Sequence, residues 1–154
     1  MNQLAATPPR ERLRRETVAG YCYPRDPDVL RQLVDRLTMT TAPSRSALGV
    51  IVPHGLYERS GAIAGRTLSR VVVPSRCFLF GPNHHGAGQA WSLMGPGAYQ
   101  TPLGQVPIDA ALTEALLETC PLTAIDPIAH RNEHALEVLL PLLQRLGPPD
   151  LSIC

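Results

Sequence analysis

The chain of 154 residues is 44% hydrophobic and 18% charged, a globular composition with length for one domain and its core. Its 14 basic and 13 acidic residues leave a formal net charge of +1, which gives no electrostatic case for nucleic acid or an anionic membrane surface. No apolar run approaches the roughly 20 residues needed to cross a bilayer, and the Arg-rich start lacks the apolar stretch of a signal peptide.

Residues 1–16, with Pro8-Pro9 and a charge run, read as a flexible leader, and 17–154 as one domain. From Asp28 to Leu37 apolar residues recur at helical spacing after the Asp26-Pro27 step, which predicts a helix. A Thr/Ser/Pro-rich loop over 38–46 leads to Ala47–Val52, an apolar, β-branched run expected to be a buried strand. Ser60 is placed to cap a helix to about Arg70 whose small face suits close packing. A second strand is expected at Cys77–Phe80 and a weaker one at Ala90–Met94. Asp109 caps a helix ending near Pro121, and residues 132–146 read as a last helix kinked by Pro141. Strands alternating with helices point to an α/β fold with a central, mostly parallel sheet flanked by helices. The chain stops at Leu151–Cys154 as another strand opens. That suggests a larger fold truncated on its C-terminal side, with a sticky open sheet edge near Ile153 and self-association through it.

Ligands collect beyond the carboxyl ends of parallel strands. His54 follows the first expected strand, and His84 and His85 follow the second, so histidines from two strand ends could converge on one metal. The alternative is exposed loop histidines or hydrogen-bonding histidines at the edge of the core. His84 and His85 are neighbours, so in extended backbone both cannot face one ion. The run His130-Arg131-Asn132-Glu133-His134 matches the H-x-x-E-H pattern of zinc peptidases, in which two histidines on one helix face bind zinc and the Glu acts as base. The bland reading is that Glu133 and His134 cap a helix start. The Tyr21–Pro24 and Thr101–Gly104 segments read as turns. Cys22, Cys77, Cys120 and Cys154 show no CxxC spacing, so reduced thiols and a cytoplasmic location are expected.

Five stretches, VAGYCYP (18–24), IVPHGLYERSG (51–61), FLFGPNHHG (78–86), YQTPLGQVPID (99–109) and HRNEHALEVLLPLLQ (130–144), together resemble the MEMO family, whose prokaryotic members are called AmmeMemoRadiSam system protein B. The family is similar in fold to class III extradiol (LigB-like) dioxygenases, and the likeness covers residues 17–154. It implies a non-haem metal pocket for Fe(II), Cu or Zn, with His54 and His84 as ligands and His134 at the rim as an acid/base. Glu133 would be the carboxylate partner of a ligating histidine. Tyr57, Asn83, His85 and His130 lie in the same motifs and are pocket candidates. The family's third ligand, a Cys or an acid, falls in a half this chain lacks, so a partial or inactive protein is expected. Gly55, Leu56 and Arg59 depart from the family's usual PHAGYxYSG, and Ala135 from its usual Ser. A metal-dependent, dioxygenase-like oxidoreductase and a non-catalytic binding or scaffold protein remain the two readings. The resemblance implies an unidentified small-molecule ligand and association with AMMECR-type and radical SAM proteins.

Overall fold

A computed structural model describes residues 12–154. In chain order its elements are β1 (Arg12–Arg14), α1 (Pro27–Thr38), α2 (Ala62–Leu68), β2 (Arg76–Cys77), β3 (Ser92–Leu93), β4 (Gly97–Thr101) and β5 (Gly104–Pro107). Then come α3 (Ala110–Thr119), β6 (Ala124–Ile125), α4 (Pro127–His130), α5 (Leu140–Leu146) and β7 (Ser152–Ile153). This is a mixed α/β chain. Of the expected leader, residues 1–11 lie outside the described residues, whereas Arg12–Arg14 is a strand parallel to β4. Among the described residues no helix is long and apolar enough to cross a membrane.

The capped helices form where local chemistry dictates. Asp26 accepts from the amides of Asp28 and Val29 at 2.9 Å each and Pro27 opens α1, so two otherwise orphan donors are satisfied. Leu30, Val34 and Thr38, four residues apart, form the buried face of α1, which packs on α2 and α5. A Cβ added at Gly65 would lie 2.5 Å from the carbonyl oxygen of Leu37, so only glycine permits this approach of α2 to α1. Asp109 accepts from Leu112 N at 2.9 Å and caps α3. The helix expected from Ser60 begins earlier, as a π-helical turn over Tyr57–Gly61. Ser60 does not cap it; its hydroxyl donates back to Leu56 O at 3.1 Å.

Among the described residues the strands form three small sheets, so the expected single central sheet is not clearly formed by them. β1, β4 and β5 form the largest, parallel between β1 and β4 and antiparallel across the β4–β5 hairpin. The pairs β2–β7 and β3–β6 are both parallel. Residues 47–52, expected as a buried strand, are unpaired, and Leu48 and Ile51 are fully exposed. Of Cys77–Phe80 only Cys77 lies in a strand, and Phe80 is exposed. The edge expected at Ile153 is closed. Ile153 pairs with Cys77 on one side and bridges to Ile108 on the other, and its side chain is buried. The core gathers Leu30, Val34, Tyr57, Val106, Val138, Leu140 and Leu142.

The last helix is shorter than expected. Residues 133–136 are loop and turn, Glu137–Leu139 is a 3-10 turn, and α5 follows. Pro141 sits in the first turn of α5, where its missing amide hydrogen leaves no bond unmade, so it starts the helix rather than kinking it.

Candidate metal centre

His54 and His84 leave two separate extended segments, yet their Nε2 atoms lie 3.1 Å apart. The His134 ring stacks on His84, with centroids 4.8 Å apart and planes 22° from parallel, and its centroid is 6.0 Å from that of His54. Beneath the three imidazoles lies Glu133, whose carboxylate is 7% exposed, and this low exposure means that its partners decide its charge. One oxygen accepts from His84 Nδ1 and from the amides of His134 and Ala135, each at 2.8 Å; the other accepts from His84 N at 2.6 Å. Burial alone would raise the Glu133 carboxyl. The hydrogen bonds from His84 and the Ala135 and His84 amides outweigh it and hold the group at about 2, so it is ionised.

That ionised acceptor takes the Nδ1 hydrogen of His84, and Nε2 is the ring nitrogen that faces His54. Burial, and then the neighbouring His84 and His134, lower the pKa of His54, which favours its neutral, ligating form. Two histidines bound to one ion at about 2.1 Å and roughly 90–110° apart have nitrogens about 3.0–3.4 Å from each other, and the pair here fits that spacing. Ligand-type atoms of His84, Glu133 and His134 also lie within 4.8 Å of one another. The donor set of imidazole and carboxylate suits Fe, Cu or Zn.

A model of the Memo-like protein family matches residues 14–153. The chain belongs to this family. It is 38% identical over 144 residues to a MEMO1 family protein of Methanopyrus kandleri, covering 85% of this chain and 51% of that one. MEMO1 family proteins of Aquifex aeolicus and Methanothermobacter thermautotrophicus are also 38% identical, over 92% and 86% of this chain and 53% and 52% of their own lengths. The chain thus spans about half the length of these Memo-type relatives.

The structure brings together His54, His84, Glu133 and His134, and places the other Memo-motif residues elsewhere. His85 turns away from its neighbour and meets Asn132 O at 3.1 Å. Asn83 donates to Ala87 O at 2.7 Å within its own loop. Tyr57 is buried, donates to Val138 O at 2.8 Å and packs on Tyr23, with burial pushing its pKa up. His130 holds Tyr99 OH at 3.0 Å and Ser92 O at 3.2 Å through its two ring nitrogens. The zinc-peptidase arrangement is therefore not formed. Asp126 and Pro127 start α4 early, it ends at His130, and Glu133 captures the amides just after it instead of continuing a helix.

Two residues that support the site escape a motif search. Arg14 donates through Nε to His130 O (3.1 Å), through Nη2 to Glu133 O (2.5 Å) and through Nη1 to Glu137, so one guanidinium staples the loop carrying Glu133 and His134. Glu137 is fully buried and also accepts from Tyr23 OH at 2.6 Å and from Thr17 and Val18 amides at 3.1 Å. A signal existed for Glu137: it is a lone acid inside the apolar run Ala135–Leu143, where an ionised group needs a buried partner. Arg14 carried none, because it sits in a run of surface-like charges.

Proposed function

We propose that this chain supplies the histidine side of a Memo-type metal pocket. His54 and His84 hold a divalent metal, Fe(II), Cu or Zn, Glu133 fixes the ring of His84, and His134 handles protons at the rim. The observation that carries this reading is the meeting of two Nε2 atoms at 3.1 Å, with the far nitrogen of one ring on an ionised carboxylate. A metal held there would supply Lewis-acid or redox chemistry. The protein's own contribution is to keep His84 in one tautomer, to keep the Glu133 charge where it orients rather than reacts, and to set the His134 ring against His84. His134 Nδ1 lies 3.4 Å from Glu133, which leaves that ring loosely tethered and able to exchange a proton with a bound small molecule. The family's further ligand, the sheet of an extradiol-dioxygenase-like fold, and association with AMMECR-type and radical SAM proteins belong to this proposal as properties of the whole Memo-type protein.

Nitrogen-15 NMR of the histidine rings during Zn(II) addition tests it. The expected result is a shift at Nε2 of His54 and His84 while His84 Nδ1 stays protonated. Equal shifts at His85 and His130 would overturn it.

A further inference from the structure

The charges of this chain are sorted along it. Residues 36–108 carry Arg36, Arg45, Arg59, Arg66, Arg70 and Arg76 against the single acid Glu58. Residues 109–130 carry Asp109, Glu114, Glu118 and Asp126 and no arginine. The near-neutral total therefore hides two stretches of opposite sign.

The helices turn these stretches into faces. From the π-helical turn through α2, Arg59, Ile63, Arg66 and Arg70 recur at spacings of four, three and four, so they share one side. Gly61, Ala64, Gly65 and Leu68 form the buried side. The three arginines are exposed, and so is Ile63, an apolar contact point within a basic stripe. Arg45 stands at the end of the stripe, because its backbone bonds to Arg70 O and Val72 N at 2.9 and 3.0 Å. On α3, Glu114 and Glu118 are exposed one turn apart, beside the exposed Ala111 and Ala115. Among the described residues no ion pair involves Arg45, Arg59, Arg66 or Arg70, and none involves Glu114 or Glu118.

The two faces hang from the two ends of one series of pairings. Arg45 bridges to Val71, whose segment runs into β2, and β2 pairs with β7. Ile153 of β7 bridges to Ile108, the residue before the cap of α3. A long polyanion or an anionic membrane laid over the molecule would meet both signs. A compact partner with an acidic helix meets the arginines alone. Another copy of this chain has such a helix: its glutamates repeat the four-residue spacing of Arg66 and Arg70, and its alanines leave room for Ile63.

We infer that copies of this chain associate head to tail, the Arg59–Arg70 face of one on the Glu114–Glu118 face of α3 of the next. Each exposed ion pair contributes little by itself, so the contact is weak, rests on several pairs together and yields to salt. Two different faces meet, which makes the contact heterologous and able to repeat. It uses no residue of the histidine cluster and stands whether or not a metal binds there.

Sedimentation equilibrium of the full chain tests it. In dilute salt the weight-average mass should climb with concentration above that of one chain. The association constant should fall at least about tenfold from about 20 mM to about 500 mM NaCl, as the screening length drops from about 20 Å to about 4 Å. Arg66→Glu/Arg70→Glu and Glu114→Arg/Glu118→Arg, each folded by circular dichroism, should stay monomeric. All four substitutions in one chain return the net charge to +1 and should restore association. Arg31→Glu/Arg36→Glu, the same change of net charge placed on α1, should leave association as in the wild type. Association that persists in either double variant, a four-fold variant that stays monomeric, or an α1 variant that dissociates would each overturn the inference. A wild type that stays monomeric in dilute salt, or that associates more strongly as salt rises, would do the same.

Discussion

Replacing Glu133 by Gln asks whether the carboxylate under the imidazoles sets the metal site. The carboxylate accepts four hydrogen bonds, three at one oxygen and one at the other. A glutamine can place its single carbonyl oxygen at the three-donor position, keeping His84 Nδ1, His134 N and Ala135 N. Its amide NH2 then meets His84 N, donor against donor, and one part-buried amide is stranded at a cost of about 1–3 kcal/mol in stability. At His84 an ionised acceptor becomes a neutral one, and charge-assisted hydrogen bonds are roughly twice as strong. Losing such a partner of a ligating histidine weakens metal binding about 10–100-fold, or about 1.4–2.7 kcal/mol. Zn(II) competition against a chromophoric chelator measures this, with circular dichroism confirming the fold. A folded Glu133→Gln protein that binds within threefold of wild type would refute the reasoning.

Glu137→Gln leaves the Arg14 guanidinium buried without its counter-charge, which predicts a loss of about 3–5 kcal/mol. At about 2–4 °C per kcal/mol for a chain of this size, Tm should fall by about 6–20 °C, and a fall under 2 °C would contradict the burial argument. Burial raises the Glu137 carboxyl, but hydrogen bonds from Tyr23 and Arg14 outweigh it and hold the group below the ordinary glutamate value. On acidification the unfolded chain therefore takes up this proton first. The stability it contributes is complete above about pH 5 and declines below, a slope that urea titrations should find weaker in Glu137→Gln. Gly65→Ala drives a methyl group into Leu37 O and should cost about 1–3 kcal/mol by overpacking, read as a lower urea midpoint. His130→Ala should leave Zn(II) affinity unchanged, since both its ring nitrogens serve Tyr99 and Ser92; a tenfold loss would restore the H-x-x-E-H reading.

What the sequence made legible was chemistry written locally. Asp26-Pro27 and Asp109 announce α1 and α3 because a cap acts within three residues, and Pro102-Leu103 turns the hairpin where a turn is expected. The hairpin strands themselves went unseen, because Gly97, Gln100, Gln105 and Pro107 carry neither β-propensity nor an apolar alternation. Residues 47–52 show the opposite failure. Their composition states that the segment suits a sheet interior but not which strands surround it, and pairing is a property of the fold. The helix expected from 132 was displaced by a side-chain contest, in which the Glu133 carboxylate takes the amides that would have begun it. At the site, His54 and His84 were legible as histidines following two apolar runs, and Glu133 and His134 from the family motif. The Arg14 staple was not, since its targets lie 116 to 123 residues away in sequence.

The central claim is that two histidines from separate segments form one metal site in this chain. Titration with Fe(II) under anaerobic conditions, and with Cu(II) and Zn(II), on wild type and on His54→Ala/His84→Ala, tests it most directly. The account predicts one saturable equivalent of at least one of these metals in the wild type, and none in a double variant that keeps its circular dichroism spectrum. Equal binding by both proteins would contradict it.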